Sequence, residues 1–202
     1  MRAALRFLAS VMMVSGVLLI GDAGATLLWQ EPASWFLAGR QQSQLEDALA
    51  KPPRRVLDKR PLAGDAIGRI SIPSVGVSEY VVEGTGTGDL RKGPGHYPST
   101  PLPGERGTTA IAGHRTTYGA PFRRLDDVSA GDRVTVDMPY GRFVYRVQGT
   151  KIVDDQELSV LDRRSYDRLV LSACHPLYSA AQRIIVFARF QRRLPPRVGQ
   201  GS

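Results

Sequence analysis

Residues 166–190 read YDRLVLSACHPLYSAAQRIIVFARF. Two runs in this stretch, 168–173 and 183–190, have the apolar, β-branched character of strands. A short loop with Pro176 separates them. The chain's one cysteine, Cys174, stands where the first run ends, and Arg183 stands where the second begins. A β-hairpin sets the residues at the two ends of its loop side by side. The stretch therefore predicts a thiol and a guanidinium at the mouths of neighbouring strands. A thiol with an unperturbed pKa of about 8.5 is mostly protonated at pH 7, so it needs a base or a cation beside it to act as a nucleophile. His175 follows Cys174 directly, but consecutive side chains of an extended segment point to opposite faces. The better candidate base is His114, which ends an upstream strand after Gly113, a residue that permits close approach.

Working outward, the chain shows short alternating runs. Residues 67–72 (IGRISI) alternate with the period of a half-buried strand and stop at Pro73. Further strands are predicted at 75–82, 108–112, 133–138 and 142–153. Residues 118–128 (YGAPFRRLDDV) predict one or two helical turns that carry Phe122 and Leu125 inward, and 160–168 predict a connection with some helical character. Seven or eight short strands with few helices make an all-β barrel or sandwich. The glycine-rich stretch 85–95 is not a phosphate loop, because no Gly-Lys-Ser/Thr follows and no helix is launched from it.

The 202 residues suffice for one domain plus extensions. A single cysteine excludes an intramolecular disulfide. The net charge of +8 comes from 23 Arg and 4 Lys. Charge of that size suits nucleic acid, an anionic membrane or an anionic wall polymer. No basic stripe interleaved with aromatics, helix-turn-helix or zinc-ligand spacing is present, so nucleic-acid binding is not expected.

The N-terminal end reads as a membrane anchor. Arg2 and Arg6 precede a nearly unbroken apolar run, 7–29, long enough for a hydrocarbon core of about 30 Å. The basic residues predict a cytoplasmic N-terminus and an extracellular remainder. Ala23-Gly24-Ala25 would suit a cleavage site, but the run continues to Trp29, which favours an uncleaved anchor. Trp29 and Trp35 would sit at the far interface. The expected organisation is a cytoplasmic start and transmembrane helix over 1–30, an extracellular stalk over 31–64, a catalytic domain over 65–192 and a disordered tail over 193–202. Within the stalk, 35–50 predict a short amphipathic helix with Phe36, Leu45 and Leu49 on one face. Residues 51–59 predict a basic tether after Pro52-Pro53 end that helix.

Three separated segments resemble the sortases, membrane-anchored cysteine transpeptidases found mostly in Gram-positive bacteria. They are AIAGHRTTYGAPFRRL (110–125), LVLSACHP (169–176) and AAQRIIVFARF (180–190). In order they match the family's His after a strand, Cys at a strand end and Arg on the next strand. The segment GHYPSTPLPGERGTTAIAGHR (95–115) is similar to class E and related actinobacterial branches. The resemblance covers roughly residues 67–190. It implies a closed eight-stranded β-barrel with short helices, and Cys174, His114 and Arg183 as the catalytic residues; no cofactor is expected, and no metal either, because the loops that hold calcium in some sortases carry no acidic cluster here. The expected substrate contacts are His96, Ala173, His175 and Tyr118. It further implies cleavage of the Thr–Gly bond in a C-terminal LAxTG- or LPxTG-like sorting signal through a thioacyl-enzyme. Transfer would go to an amine of a lipid II-type peptidoglycan precursor. The protein partners would be secreted surface proteins that carry such signals. The sequence departs from the family's TLxTC pattern, with Val170 and Ala173 where threonines are usual. That departure raises a catalytically weak binding module as the alternative. A pilus-assembly role is the other, disfavoured because no Asp-Pro-aromatic lid motif precedes residue 67.

Overall fold

The computed structural model describes residues 2–197, the side chains of residues 3–5 and 22–36 excepted. Eight strands close into a barrel: β1 (Ala66–Ile72), β2 (Val77–Glu83), β3 (Gly95–His96), β4 (Thr108–Ala112), β5 (Arg133–Met138), β6 (Gly141–Asp154), β7 (Arg168–His175) and β8 (Gln182–Leu194). Their spatial order is β1-β2-β3-β4-β7-β8-β6-β5, and β1 pairs with both β2 and β5 to complete the ring. Two neighbouring pairs, β2–β3 and β4–β7, are parallel. The closed eight-stranded barrel expected from the family resemblance is thus observed.

The period of two sorts the side chains. Ile70, Ile72, Val81, Ile111, Val134, Val136, Leu169, Leu171, Ile184 and Val186 fill the interior, all less than 5% exposed. Phe122 and Leu125 also point inward, as predicted, although residues 118–124 form turns rather than helix and only Leu125–Asp127 is a 3-10 turn. A second apolar cluster lies on the outer face of β4, β7, β8 and β6. It joins Ala110, Val170, Ile185 and Val153 to Val160, which belongs to a 3-10 turn over Leu158–Leu161.

Two sequence expectations change at the barrel's ends. β3 is only two residues long, and Gly95-His96 is too short to show a strand period in the sequence. At the other end β8 continues beyond residue 190. Arg192, Arg193 and Leu194 pair with Val144, Phe143 and Arg142, and Arg193 donates to the Tyr140 carbonyl. The tail expected from 193 therefore begins inside a strand, and residues 198–202 lie outside the described residues.

The N-terminal helix α1 runs over Arg2–Ala50, through both the expected anchor and the expected stalk helix. Among the described residues, no helix is long and apolar enough to cross a membrane. The expected span 7–29 runs into positions whose side chains lie outside the described ones, as do those of Trp29, Trp35 and Phe36. The end of α1 is docked on the barrel. Leu45 and Leu49 pack with Ala66 and Val82, burials worth roughly 1.5–3 kcal/mol per leucine. β2 meets β3 only at Val82 and Glu83, so Tyr80, which pairs with Arg69 of β1 on one side, has no strand partner on the other. Gln42 fills that gap. Its amide oxygen accepts from the Tyr80 N–H at 2.6 Å, and its amide nitrogen donates to the carbonyls of Tyr80 (3.2 Å) and Lys92 (2.8 Å). A helix side chain thus closes an exposed sheet edge. The predicted tether over 51–59 is also folded. It forms a one-turn helix α2 (Arg54–Leu57) with Val56 buried, and Arg55 holds Asp65 at 2.6 Å. The basic residues concealed the one apolar anchor, Val56.

Candidate active site

Cys174 and Arg183 are register partners across the antiparallel β7–β8 pair. On β7, Leu169, Leu171 and Ala173 face the interior. Alternation puts Cys174 on the outer face with Val170 and Ser172. On β8, Ile184 faces inward and Ile185 outward, so Arg183 shares the face of Cys174. β4 runs parallel to β7 with Ala112 opposite Ser172, and the Gly113 N–H donates to the Ser172 carbonyl at 3.0 Å. Two residues farther along each chain stand His114 and Cys174. The same rim of the barrel therefore carries all three expected residues.

Gly113 is required where it stands. A Cβ there would lie 2.5 Å from the Phe122 ring. That ring's backbone N–H donates to the His114 carbonyl at 2.9 Å, folding the following loop back on itself. The loop is bent hard. Tyr118, Gly119 and Ala120 all have positive φ (52°, 77° and 46°), a conformation that costs a non-glycine residue on the order of 1 kcal/mol or more. The Tyr118 ring lies 5.1 Å from that of His114, and the Arg91 guanidinium lies 5.5 Å from the Tyr118 ring on its own account.

His114 is half-buried, and its Nε2 is enclosed without a hydrogen-bond partner. Desolvation pushes its pKa below the ordinary 6.5, so the ring is neutral at pH 7. Cys174 is a half-buried free thiol. The Arg183 guanidinium is held over the β7–β8 loop by the carbonyls of Ala180 (2.8 Å) and Gln182 (3.0 Å). A thiol, a neutral imidazole with an unmet nitrogen and a fixed cation constitute the parts for acyl transfer through sulfur.

Residues 70–191 match the family model of the Sortase domain. The chain belongs to the sortase family. Sortases are cysteine transpeptidases. This sortase is 34% identical over 134 residues to sortase D of Bacillus subtilis, which covers 64% of the chain and 66% of that relative. It is 26% identical over 211 residues to sortase SrtE1 of Streptomyces coelicolor, covering 96% of the chain and 59% of that relative. The chain thus spans about two thirds or less of the length of these curated relatives. The structure of sortase E from Streptomyces avermitilis superposes with a TM-score of 0.62 at 30% identity, covering 69% of this chain and 99% of that one. The expected likeness to class E is present, alongside one to sortase D.

The expected substrate contacts of this sortase divide. Tyr118 and His175 are at the rim. His175 Nδ1 lies 3.3 Å from Arg115 Nη1. A guanidinium offers only donors, so in this contact the ring nitrogen is the acceptor. Ala173 does not face the groove. It is 4% exposed and packed in the barrel interior, because it is one residue out of phase with Cys174. A threonine hydroxyl at 173 would enter the apolar interior rather than approach substrate. Val170 is likewise packed among Ala110, Val153, Val160 and Ile185. His96 is also corrected. It is 1% exposed, its Nδ1 lies 2.9 Å from Glu83, and its Nε2 is within 3.2 Å of the Pro101 carbonyl and 3.1 Å of the Thr100 hydroxyl. Every polar atom of the ring is occupied inside the wall.

Sequence reading missed Arg115 and Glu83. Arg115 is 2% exposed, the largest fully buried side chain among the described residues. It pairs with Asp126 at 2.6 Å and donates to the carbonyls of Arg123 and Cys174. Desolvation is the largest single influence on Asp126 and raises its pKa, but the Arg115 hydrogen bond, a backbone hydrogen bond and the Arg115 charge together hold that carboxyl below the usual range. The one available signal was the Gly-His-Arg order itself. With 23 arginines in the chain, nothing in composition separates a buried one from the rest.

Proposed function

We propose that this sortase cleaves the Thr–Gly bond of a C-terminal LAxTG- or LPxTG-like sorting signal and transfers the released acyl group to an amine of a peptidoglycan precursor. Cys174 attacks the threonine carbonyl, and Arg183 stabilises the oxyanion or orients the peptide. His114 protonates the departing glycine amine, leaving a thioacyl-enzyme. The neutral His114 then takes a proton from the acceptor amine as it displaces the sulfur. The observation that carries this reading is the cross-strand pairing of Cys174 with Arg183, with the His114 loop hydrogen-bonded to the adjacent edge of β7. Burial of His114 keeps imidazolium scarce at pH 7, so the thiolate–imidazolium form is a minority state and turnover is slow. Tyr118 and His175 are proposed to touch the substrate.

We also propose that residues 7–29 anchor the chain in the cell membrane with the barrel outside. This reading is supported by Arg2 and Arg6 before the apolar run, and by Phe7, Met12, Met13, Val17, Leu19 and Ile20, each at least 65% exposed. The test uses the full chain in detergent micelles with a LAxTG peptide and either an amine acceptor or none. Wild type is expected to yield the amine adduct, and Cys174→Ala neither adduct nor cleavage. Hydrolysis alone in the presence of amine would defeat transpeptidation, and an adduct formed by Cys174→Ala would defeat the sulfur's role.

A further inference from the structure

We propose that Arg115 is a positioning residue whose single guanidinium locks the His114 loop in register with the strand end that carries Cys174, an inference that rests on the catalytic reading of those two residues. The loop leaves β4 at His114 and returns at Arg123. Arg115 stands at its start, and its Nε and Nη2 donate to the Arg123 carbonyl at 3.3 and 3.1 Å, closing the loop at its base. The same Nη2 pairs with Asp126, just beyond the return. Nη1 points the other way. It donates to the Cys174 carbonyl at 3.4 Å and lies 3.3 Å from His175 Nδ1. One planar fork therefore ties the loop's two ends to each other and both to the end of β7.

The loop needs such a tie. Three consecutive residues, Tyr118 to Ala120, hold positive φ, and a bend of that kind persists only where its surroundings over-determine it. β4 itself ends at Ala112, so no strand pairing extends to His114. A buried cation is a costly way to fill space, and an aliphatic residue would fill it with less desolvation. A guanidinium is distinctive in serving acceptors in several directions within one plane. Lysine keeps the charge but is a single point donor group on a flexible stem.

The test uses the full chain in detergent with Arg115→Met, Arg115→Lys and Asp126→Asn. Two readouts are followed: the titration of the His114 imidazole by NMR, assigned with His114→Gln, and kcat and KM for the peptide with amine. Arg115→Met is expected to lower kcat about 100-fold, the scale of a misplacement of about 1 Å. KM should stay within about threefold, as for a group that acts on the reacting centre rather than on binding. The His114 pKa, below 6.5 in the wild type, should move up towards 6.5 as the freed loop admits water. Arg115→Lys should stay near Arg115→Met. Full kcat in Arg115→Lys would overturn the proposal in favour of charge alone. An unchanged kcat and unchanged His114 titration in Arg115→Met, with only the melting temperature lowered, would overturn it in favour of a merely structural role. Should Arg115→Met fail to fold, Asp126→Asn decides. Its carboxylate is 43% exposed, and about a tenfold loss in kcat with the same direction of His114 shift is expected; no change in either overturns the clamp. If wild type forms no adduct, the catalytic reading fails, while the His114 titration still decides whether Arg115 holds the loop.

Discussion

His114 and His96 lie near the same end of β4, His96 opposite Ile111 and His114 two residues beyond Ala112, and they solve burial in opposite ways. His96 is in the barrel wall with both ring nitrogens engaged, by Glu83 on one side and by Pro101 and Thr100 on the other. His114 is at the rim with Nε2 enclosed and unmet, on a loop held in a strained conformation. A buried polar atom left without a partner is costly, and the fold tolerates that cost at His114 alone of the two rings. A fully satisfied imidazole is a structural post, whereas an unsatisfied one is available to a proton that arrives with the substrate.

The contrast predicts different losses. The largest belongs to His114→Gln, expected to lower kcat/KM by about 10²–10⁴-fold, the usual worth of a general acid–base, with little change in melting temperature. In the wild type the acid limb of kcat/KM should lie below pH 6.5, because desolvation lowers the His114 pKa. An acid limb above that value would break the assignment. Next comes His96→Ala. It strands the buried Glu83 and should cost about 3 kcal/mol of stability by chemical denaturation, while the turnover of the remaining folded molecules stays within a few-fold. A large loss of kcat without loss of stability would put His96 back among the reacting groups. The smallest effect is expected from Gln42→Ala, which removes the side-chain cap on β2 at Tyr80. About 1 kcal/mol of stability should be lost, with protection of the Tyr80 amide against hydrogen exchange reduced. Unaltered protection would mean that the edge is sealed by something other than α1.

The two regions of α1 extend the same lesson. Residues 7–20 carry large apolar side chains that are exposed, whereas Gln42, Leu45 and Leu49 are fixed on the barrel. Sequence pattern registered both regions, the first by its continuous hydropathy and the second by a loose apolar face. It gave no hint that Gln42 substitutes for a missing strand, since a glutamine on a helix is ordinarily solvated.

Sequence alone sufficed for what depends on local periodicity and residue type. The strands β1, β2, β4, β5, β6, β7 and β8 were legible because their apolar runs extend over five or more residues. The hairpin pairing of Cys174 with Arg183 was legible because two ends of one short loop can only meet. Ala173 was misassigned to the groove although the alternation of a strand, applied from Cys174, excludes it. What only the tertiary structure decided are the contacts between segments distant in the chain. These include the parallel β4–β7 pairing that carries His114 to the thiol, the two-residue β3 and the Glu83–His96 pair. They also include the burial of Arg115, one arginine among 23. The physical reason is that a charged side chain has the same local signature whether water or a protein carbonyl solvates it, and only closure of the barrel selects between them.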